Sequence, residues 1–379
     1  MKVLLLDSSF AAGPIYDYLL SENHEVWTIG NRAGDLLAKR AGKRWIEEDY
    51  SNLAAVQRHV ERVGIERVVP GCTDLSIAIC SELPICTGRV DSAQTVRLLS
   101  NKAMFRELCR EYDLPAPRAI TSGERPTEGK WICKPADAFS GRGISVISGE
   151  DQASFDEAVQ CASRASPTGN YLVEEFVKGQ LYSCTGFVQN RRLVDPHYVI
   201  EGSSVNPFAV DTSYVCHDVP VEARQRLESG LSKLCSAIGL LDGLLHTQFI
   251  LDGDRAYIIE CSRRCPGDLY SLLIEMSTGS RFAAHYASYF IGGDRVSDGC
   301  RKRHVLRHTV TGEDLGIFGG IRAREPFPLV GYYPLQRVGE EVQPKQASRC
   351  GVAFFETSSE EQLSSLYQRL LERNIYDVL

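Results

Sequence analysis

The sequence predicts a parallel α/β domain followed by a larger α+β region, and three observations carry that expectation. In residues 1–98, short apolar runs at 3–6, 25–29 and 67–70 alternate with helical patterns at 13–22 and 52–63. This is the pattern of a parallel sheet covered on both faces. Further on, strands at 171–175, 181–189, 192–199, 244–251 and 255–261 follow one another closely, and Asp252-Gly253-Asp254 turns the last two into a hairpin. Finally, 379 residues is the length of two or three domains, ample for cores that need no disulfide staples.

The first unit, 1–98, reads as Rossmann-like, but its segment 8–13, Ser-Ser-Phe-Ala-Ala-Gly, lacks the three-glycine fingerprint of a nicotinamide site. A helix at 101–112 is stopped by Leu114-Pro115-Ala116-Pro117. A strand at 131–134, a loop to 143, a strand at 144–147 and a helix at 152–162 come next, with further helices at 221–238, 268–277 and 281–290. The tail supplies strands near 304–310 and 351–356 and a helix at 360–373. The expected divisions are 1–98, 99–295 with a hinge near 173–178, and a C-terminal α+β portion, 296–379, that completes the middle unit or is appended to it.

Composition removes several classes of function. A net charge of −7 argues against a nonspecific nucleic-acid binder, and the one dense basic run, Arg301-Lys302-Arg303-His304, reads as a solvated turn. The thirteen cysteines are scattered singly, as in a reduced, cytoplasmic protein. Cys261 and Cys265 lack the second ligand pair that a zinc site needs. No stretch reaches the ~18 apolar residues of a membrane span, so neither membrane nor nucleic acid is expected as a partner.

Four segments stand in a telling order: Asn101-Lys102 with 114–117; Lys134-Pro135 leading to Ser140-Gly141-Arg142-Gly143; Glu174-Glu175-Phe176-Val177-Lys178-Gly179; and His246-Thr247-Gln248-Phe249 with Glu260-Cys261-Ser262-Arg263-Arg264. Each is weak alone. Together, over roughly 98–295, they resemble the ATP-grasp superfamily, and the alternating first unit resembles the domain that precedes the grasp fold in many members. The resemblance implies two α+β subdomains clasping ATP.

Physical chemistry gives these residue types reasons to be there. ATP carries about four negative charges and needs cations and backbone donors around its phosphates. Lys102 and Lys134 supply swivelling point charges, and Gly141 and Gly143 let the 136–143 loop approach phosphate as a lid, with Arg142 a further anion contact. The resemblance implies that backbone groups of Glu175 and Val177 read the adenine edge and that the Glu174 carboxylate accepts from its amine. It also implies a Mg²⁺ or Mn²⁺ site on the hairpin made by Gln248, Glu260 and Ser262, which alternation places on one face. Arg264 matches the family's arginine for the transferred phosphoryl group. Two departures stand out. Leu181 occupies a place where many members carry an acid for the ribose, and Ser262 replaces a customary asparagine.

The activity implied is ATP-dependent ligation: a carboxylate becomes an acyl phosphate and an amine attacks it, releasing ADP and phosphate, with Arg264, Lys134 and Arg142 as the catalytic residues. The substrates are then a small carboxylate and an amine, and a homodimer remains open. Two alternatives stand beside it: a bicarbonate- or biotin-dependent carboxylase on the same core, and a noncatalytic nucleotide-binding regulator, for which Leu181 and Ser262 are the motive.

Overall fold

The computed structural model describes residues 1–120, 123–138, 141–292, 299 and 301–379. The expected boundary at 295/296 and positions 139–140 of the 136–143 loop lie outside the described residues.

Strand β1 (Lys2–Leu6) is followed by α1 (Gly13–Ser21), β2 (Glu25–Gly30), α2 (Leu36–Ala41), β3 (Trp45–Glu47), α3 (Leu53–Val63) and β4 (Arg67–Pro70). All pairings are parallel, in the order β3-β2-β1-β4. The apolar run from Val3 to Leu6 is buried because β1 lies inside a sheet covered on both faces. Asn52 caps α3 by accepting from the Ala55 N–H (3.1 Å), and Gly64 ends it with φ +71°. The sequence patterns did not announce α2 and β3, which have six and three residues, too few to show a period.

The chain leaves β1 first toward β2 and later toward β4, so a crevice opens at the C-terminal ends of β1 and β4. Buried Asp7 ties these ends together by accepting from the Ser9 N–H (2.8 Å) and the Cys72 N–H (2.9 Å). The approach leaves no room at Gly71, where a Cβ would stand 2.1 Å from that of Asp7. Helix α4 (Asp74–Glu82) starts here with Thr73 as its cap, and α5 (Ala93–Ser100) and α6 (Lys102–Glu111) follow.

Strands β5 (Lys130–Pro135), β6 (Ser145–Ser148) and β7 (Tyr171–Glu175) form an antiparallel sheet, β6-β5-β7, backed by α7 (Gln152–Ala165) around a small core of its own. The chain then crosses 176–179 into the largest sheet. Its strands include β8 (Gln180–Gln189), β9 (Arg192–Gly202) and β10 (Thr212–Cys216), then, after α8 (Val221–Ala237), β11 (Gly243–Asp252) and β12 (Arg255–Ser262). Helices α9 (Tyr270–Thr278) and α10 (Phe282–Ile291) lead to β13 (His304–Thr311). The remainder comprises β14 (Gly316–Ile317), β15 (Ile321–Ala323), β16 (Leu329–Pro334), β17 (Glu341–Val342), β18 (Arg349–Thr357), α11 (Glu360–Leu371) and β19 (Tyr376–Val378). The large sheet runs β12-β11-β8-β9-β10-β13-β18-β16. The C-terminal strands β13, β18 and β16 thus extend the same sheet as the hairpin.

Helix α10 packs on α1 and β4, so the N-terminal sheet and the large sheet share one continuous core. Arg263 reinforces the junction. It donates to Asp91 (2.7 Å) and to the carbonyls of Gly243 (3.3 Å) and Leu241 (2.5 Å), while Asp91 also accepts from the Leu241 N–H (2.8 Å). Removing one partner of a buried ion pair costs about 3–5 kcal/mol. Asp91→Ala should therefore lower the melting temperature clearly, while nucleotide affinity, measured calorimetrically, stays near wild type.

Candidate active site

A cleft of about 1660 Å³ lies among the three-stranded sheet, the large sheet and the crevice beyond β1 and β4. Of the residues singled out in the sequence, Lys102, Lys134, Gly141, Arg142, Glu174, Glu175, Val177, Gln248, Glu260, Ser262 and Arg264 line it. Gly143 does not. It packs against α7, where a Cβ would stand 2.5 Å from that of Ala165. Its φ of +70° shapes the loop from behind. Gly141, at φ +68°, seats that loop against the segment after β9: a Cβ there would stand 2.8 Å from the Phe208 carbonyl oxygen.

Lys134 is almost fully buried at the end of β5 and ion-paired with Glu174 on the adjacent β7. Glu174 also takes Arg106 of α6, with Nε at 2.7 Å and Nη2 at 3.4 Å. Burial pulls the Glu174 pKa up, but Lys134 and Arg106 beside it hold it below the usual carboxylate value. This corrects the expectation for Glu174: its oxygens are engaged by two cations, so they are not available to the adenine amine. Lys134 likewise is part of a buried network and not only a phosphate contact. Arg106 carried no signal, since a lone arginine on an amphipathic helix reads as solvated. Lys102 donates to the Ala138 carbonyl (2.9 Å), and its own N–H reaches the Ala136 carbonyl (3.0 Å), fastening the loop to the start of α6. At the hinge the Glu175 N–H is taken by the Arg118 carbonyl (2.9 Å), which leaves the Glu175 carbonyl and Val177 for an adenine edge.

The hairpin places Gln248 opposite Glu260 and His246 opposite Ser262, all four on one face. Gln248 donates its amide nitrogen to Glu201 on β9 (2.5 Å), leaving its oxygen for a cation. The donors are oxygens, as magnesium or manganese requires, and the buried Nδ1 of His246 beside them has no partner, which marks the site as built around a polar guest. Burial, then Arg264, lowers the His246 pKa to about 3. Among the described residues no three His, Cys, Asp or Glu side chains gather as a metal cluster.

Arg264 meets Asp74, at the start of α4, in a two-point bridge of 3.0 and 3.1 Å. Burial opposes the Arg264 charge, but Asp74 outweighs it and keeps the pKa raised. Asp74 carried no signal beyond closing Gly71-Cys72-Thr73-Asp74, the segment after the apolar run at 67–70. Glu201, also unforeseen, is buried in the cleft wall, and burial above all pushes its pKa up to about 7. Its only sequence signal was an acid closing the apolar run His-Tyr-Val-Ile.

Two outcomes follow. Glu174→Gln leaves Lys134 and Arg106 without a counter-charge, so it should cost about 3–5 kcal/mol of stability and weaken MgADP binding. A melting temperature unchanged from wild type would return Glu174 to a purely ligand-facing role. For Glu201, the folded pKa of about 7 exceeds the ordinary 4.5. Its contribution to stability is therefore fullest below pH 4.5 and is lost as pH rises to about 7. Glu201→Gln should gain on wild type in thermal melts between pH 5 and pH 8.

Residues 99–267 match the model of an ATP-grasp domain. The chain is 23% identical over 310 residues to phosphoribosylamine–glycine ligase of Methanocaldococcus jannaschii, covering 70% of this chain and 67% of that one. It is 24% identical over 183 residues to the carbamoyl phosphate synthase large chain of Clostridium acetobutylicum, covering 46% of this chain but only 17% of the other. An L-amino acid ligase from Bacillus licheniformis superposes with a TM-score of 0.77 at 16% identity, covering 100% of this chain and 98% of that structure. Among the described residues no helix is long and apolar enough to cross a membrane. The hinge and the hairpin thus lie within the segment, 99–267, that is similar to an ATP-grasp domain, on a chain that shares the fold of that ligase structure.

Proposed function

We propose that the protein is an ATP-dependent carboxylate–amine ligase that releases ADP and phosphate. The observation that carries this reading is the convergence of Lys102, Lys134, Gln248, Glu260 and Arg264 on one cleft. Its relatives include ligases by name. Lys134 and Lys102 neutralise the outer phosphates, and the Glu175 carbonyl and Val177 hold the adenine. Glu201, one strand across from Leu181, takes the ribose hydroxyls that Leu181 cannot. Gln248, Glu260 and Ser262 would hold Mg²⁺ or Mn²⁺, which would supply positive charge to offset that of the phosphates. Arg264, aimed by Asp74, stabilises charge on the transferred phosphoryl group, and the cleft excludes water from the acyl phosphate. The amine then attacks the acyl carbon and phosphate leaves. The acceptors bind toward the crevice beyond β1 and β4, where Ser9, Tyr50, Thr73 and Asp74 line the cleft.

The test is a screen of carboxylate and amine pools with ATP and magnesium, scoring phosphate release and identifying the nucleotide product. ADP is expected, and AMP with pyrophosphate would overturn the acyl-phosphate route. Incorporation of labelled bicarbonate would favour a carboxylase, and ATP binding without turnover a regulator. Glu260 is the one acid among the three proposed metal ligands, so Glu260→Ala should lower turnover at least ~10²-fold, the scale of one lost transition-state contact. Wild-type turnover in that variant would remove the hairpin from the mechanism.

A further inference from the structure

One buried cation in the cleft has no part in the chemistry above. Arg307, on β13, is 3% exposed yet lines the cleft. Its hydrogen bonds go to neutral acceptors, the Ser213 hydroxyl (3.0 Å) and the Asp268 carbonyl (3.0 Å). Among the described residues the only carboxylate within 4 Å is that of Asp268, at 3.9 Å, and Arg349 already holds its other oxygen. A buried guanidinium this weakly compensated is costly to keep unless a ligand completes it.

Its position indicates what that ligand is. A polar row crosses one face of the large sheet, running from Glu260 and Gln248 through Ser183, Glu201 and Ser213 to Arg307. The acid within the row, Glu201, feels the Arg307 charge across β10, but it is hydrogen-bonded to Gln248 and not to Arg307. Arg307 stands two strands beyond Glu201, roughly 10 Å farther along the sheet. From the other side it is tied to Arg264 through Asp268, four residues on, a span of at most about 14 Å. Asp268 and Leu269 both have positive φ, +53° and +58°. Two consecutive nonglycine residues in that region are strained, as at places where a site demands a particular geometry. Here the strain points the Asp268 carbonyl at Arg307. The phosphoryl-transfer end and Arg307 are thus one small molecule apart.

We propose that Arg307 seats a second oxyanion, a carboxylate or phosphate carried by one of the two substrates and distinct from the carboxyl that is activated. This rests on the ligase reading and narrows its substrate class: one substrate has an acidic group besides the reacting centre. A planar fork suits either oxyanion.

The experiment pairs acidic compounds with neutral isosteres: glutamate with glutamine, aspartate with asparagine, and O-phosphoserine with serine. Binding to the MgADP-loaded full-length protein is measured by calorimetry, and ADP release with pooled partners is measured in parallel. An acidic member should bind at least ~10-fold more tightly than its isostere, and Arg307→Gln should erase that preference, raising KM ~10–100-fold while leaving kcat within about threefold. Arg307→Lys should recover part of the loss, which separates charge recognition from damage to the fold, and melting curves accompany both variants. Preference for phosphoserine or for the dicarboxylates identifies the oxyanion. Loss of ADP release with acid selectivity in binding intact would sink the ligase reading alone. Equal binding of every acid and its isostere, or a preference that survives Arg307→Gln, would overturn the role of Arg307.

Discussion

Glu174 is the carboxylate on which the cleft wall around Lys134 depends. It is buried, and two cations from different elements, Lys134 of β5 and Arg106 of α6, converge on it. Without it, neither cation could be kept in so dry a place at acceptable cost. With it, Lys134 stands at the cleft wall with its position set, and the three-stranded sheet is fastened to α6. The same helix begins at Asn101 and Lys102, and Lys102 holds the loop at Ala136 and Ala138. Both lysines are therefore placed by one chain of contacts that starts at a carboxylate shut inside the wall.

A parallel device governs the other half. Asp74, from the unit before the hinge, holds Arg264, from the hairpin, by both carboxylate oxygens. Asp91 holds the neighbouring Arg263 in the core. Two adjacent arginines thus have different tasks: one is a clasp between units and the other faces the cleft. Residue type alone could not distinguish them, because the distinction lies in which acid, 190 residues upstream of Arg264 or 172 upstream of Arg263, meets each one.

The legible part of the molecule was whatever is local and periodic. The apolar run at 3–6, the Pro-stopped helix at 101–112 and the hairpin about Asp252-Gly253-Asp254 were visible because each is specified within a dozen residues. The positions of Gln248, Glu260 and Ser262 followed from strand alternation. What escaped was tertiary. Arg106, Glu201 and Arg307 matter through partners distant in sequence: Arg106 meets Glu174 at a separation of 68 residues, Gln248 meets Glu201 at 47, and Arg307 meets Ser213 at 94. The role expected of the Glu174 carboxylate failed for the same reason, since its burial between two cations is invisible from its own strand. Short elements such as β3 escaped because three residues show no period.

The shared core under α10 has a mechanical corollary. The N-terminal sheet, α9, α10 and the large sheet are packed through one continuous set of apolar side chains and clasped by Arg263 and Asp91. The three-stranded sheet keeps a separate core around Trp131, Phe155 and Val173. The crevice beyond β1 and β4 therefore rests on the continuous core, whereas β5, which carries Lys134, rests on the separate one. What ties that small core to α6 is the buried pairing of Glu174 with Arg106.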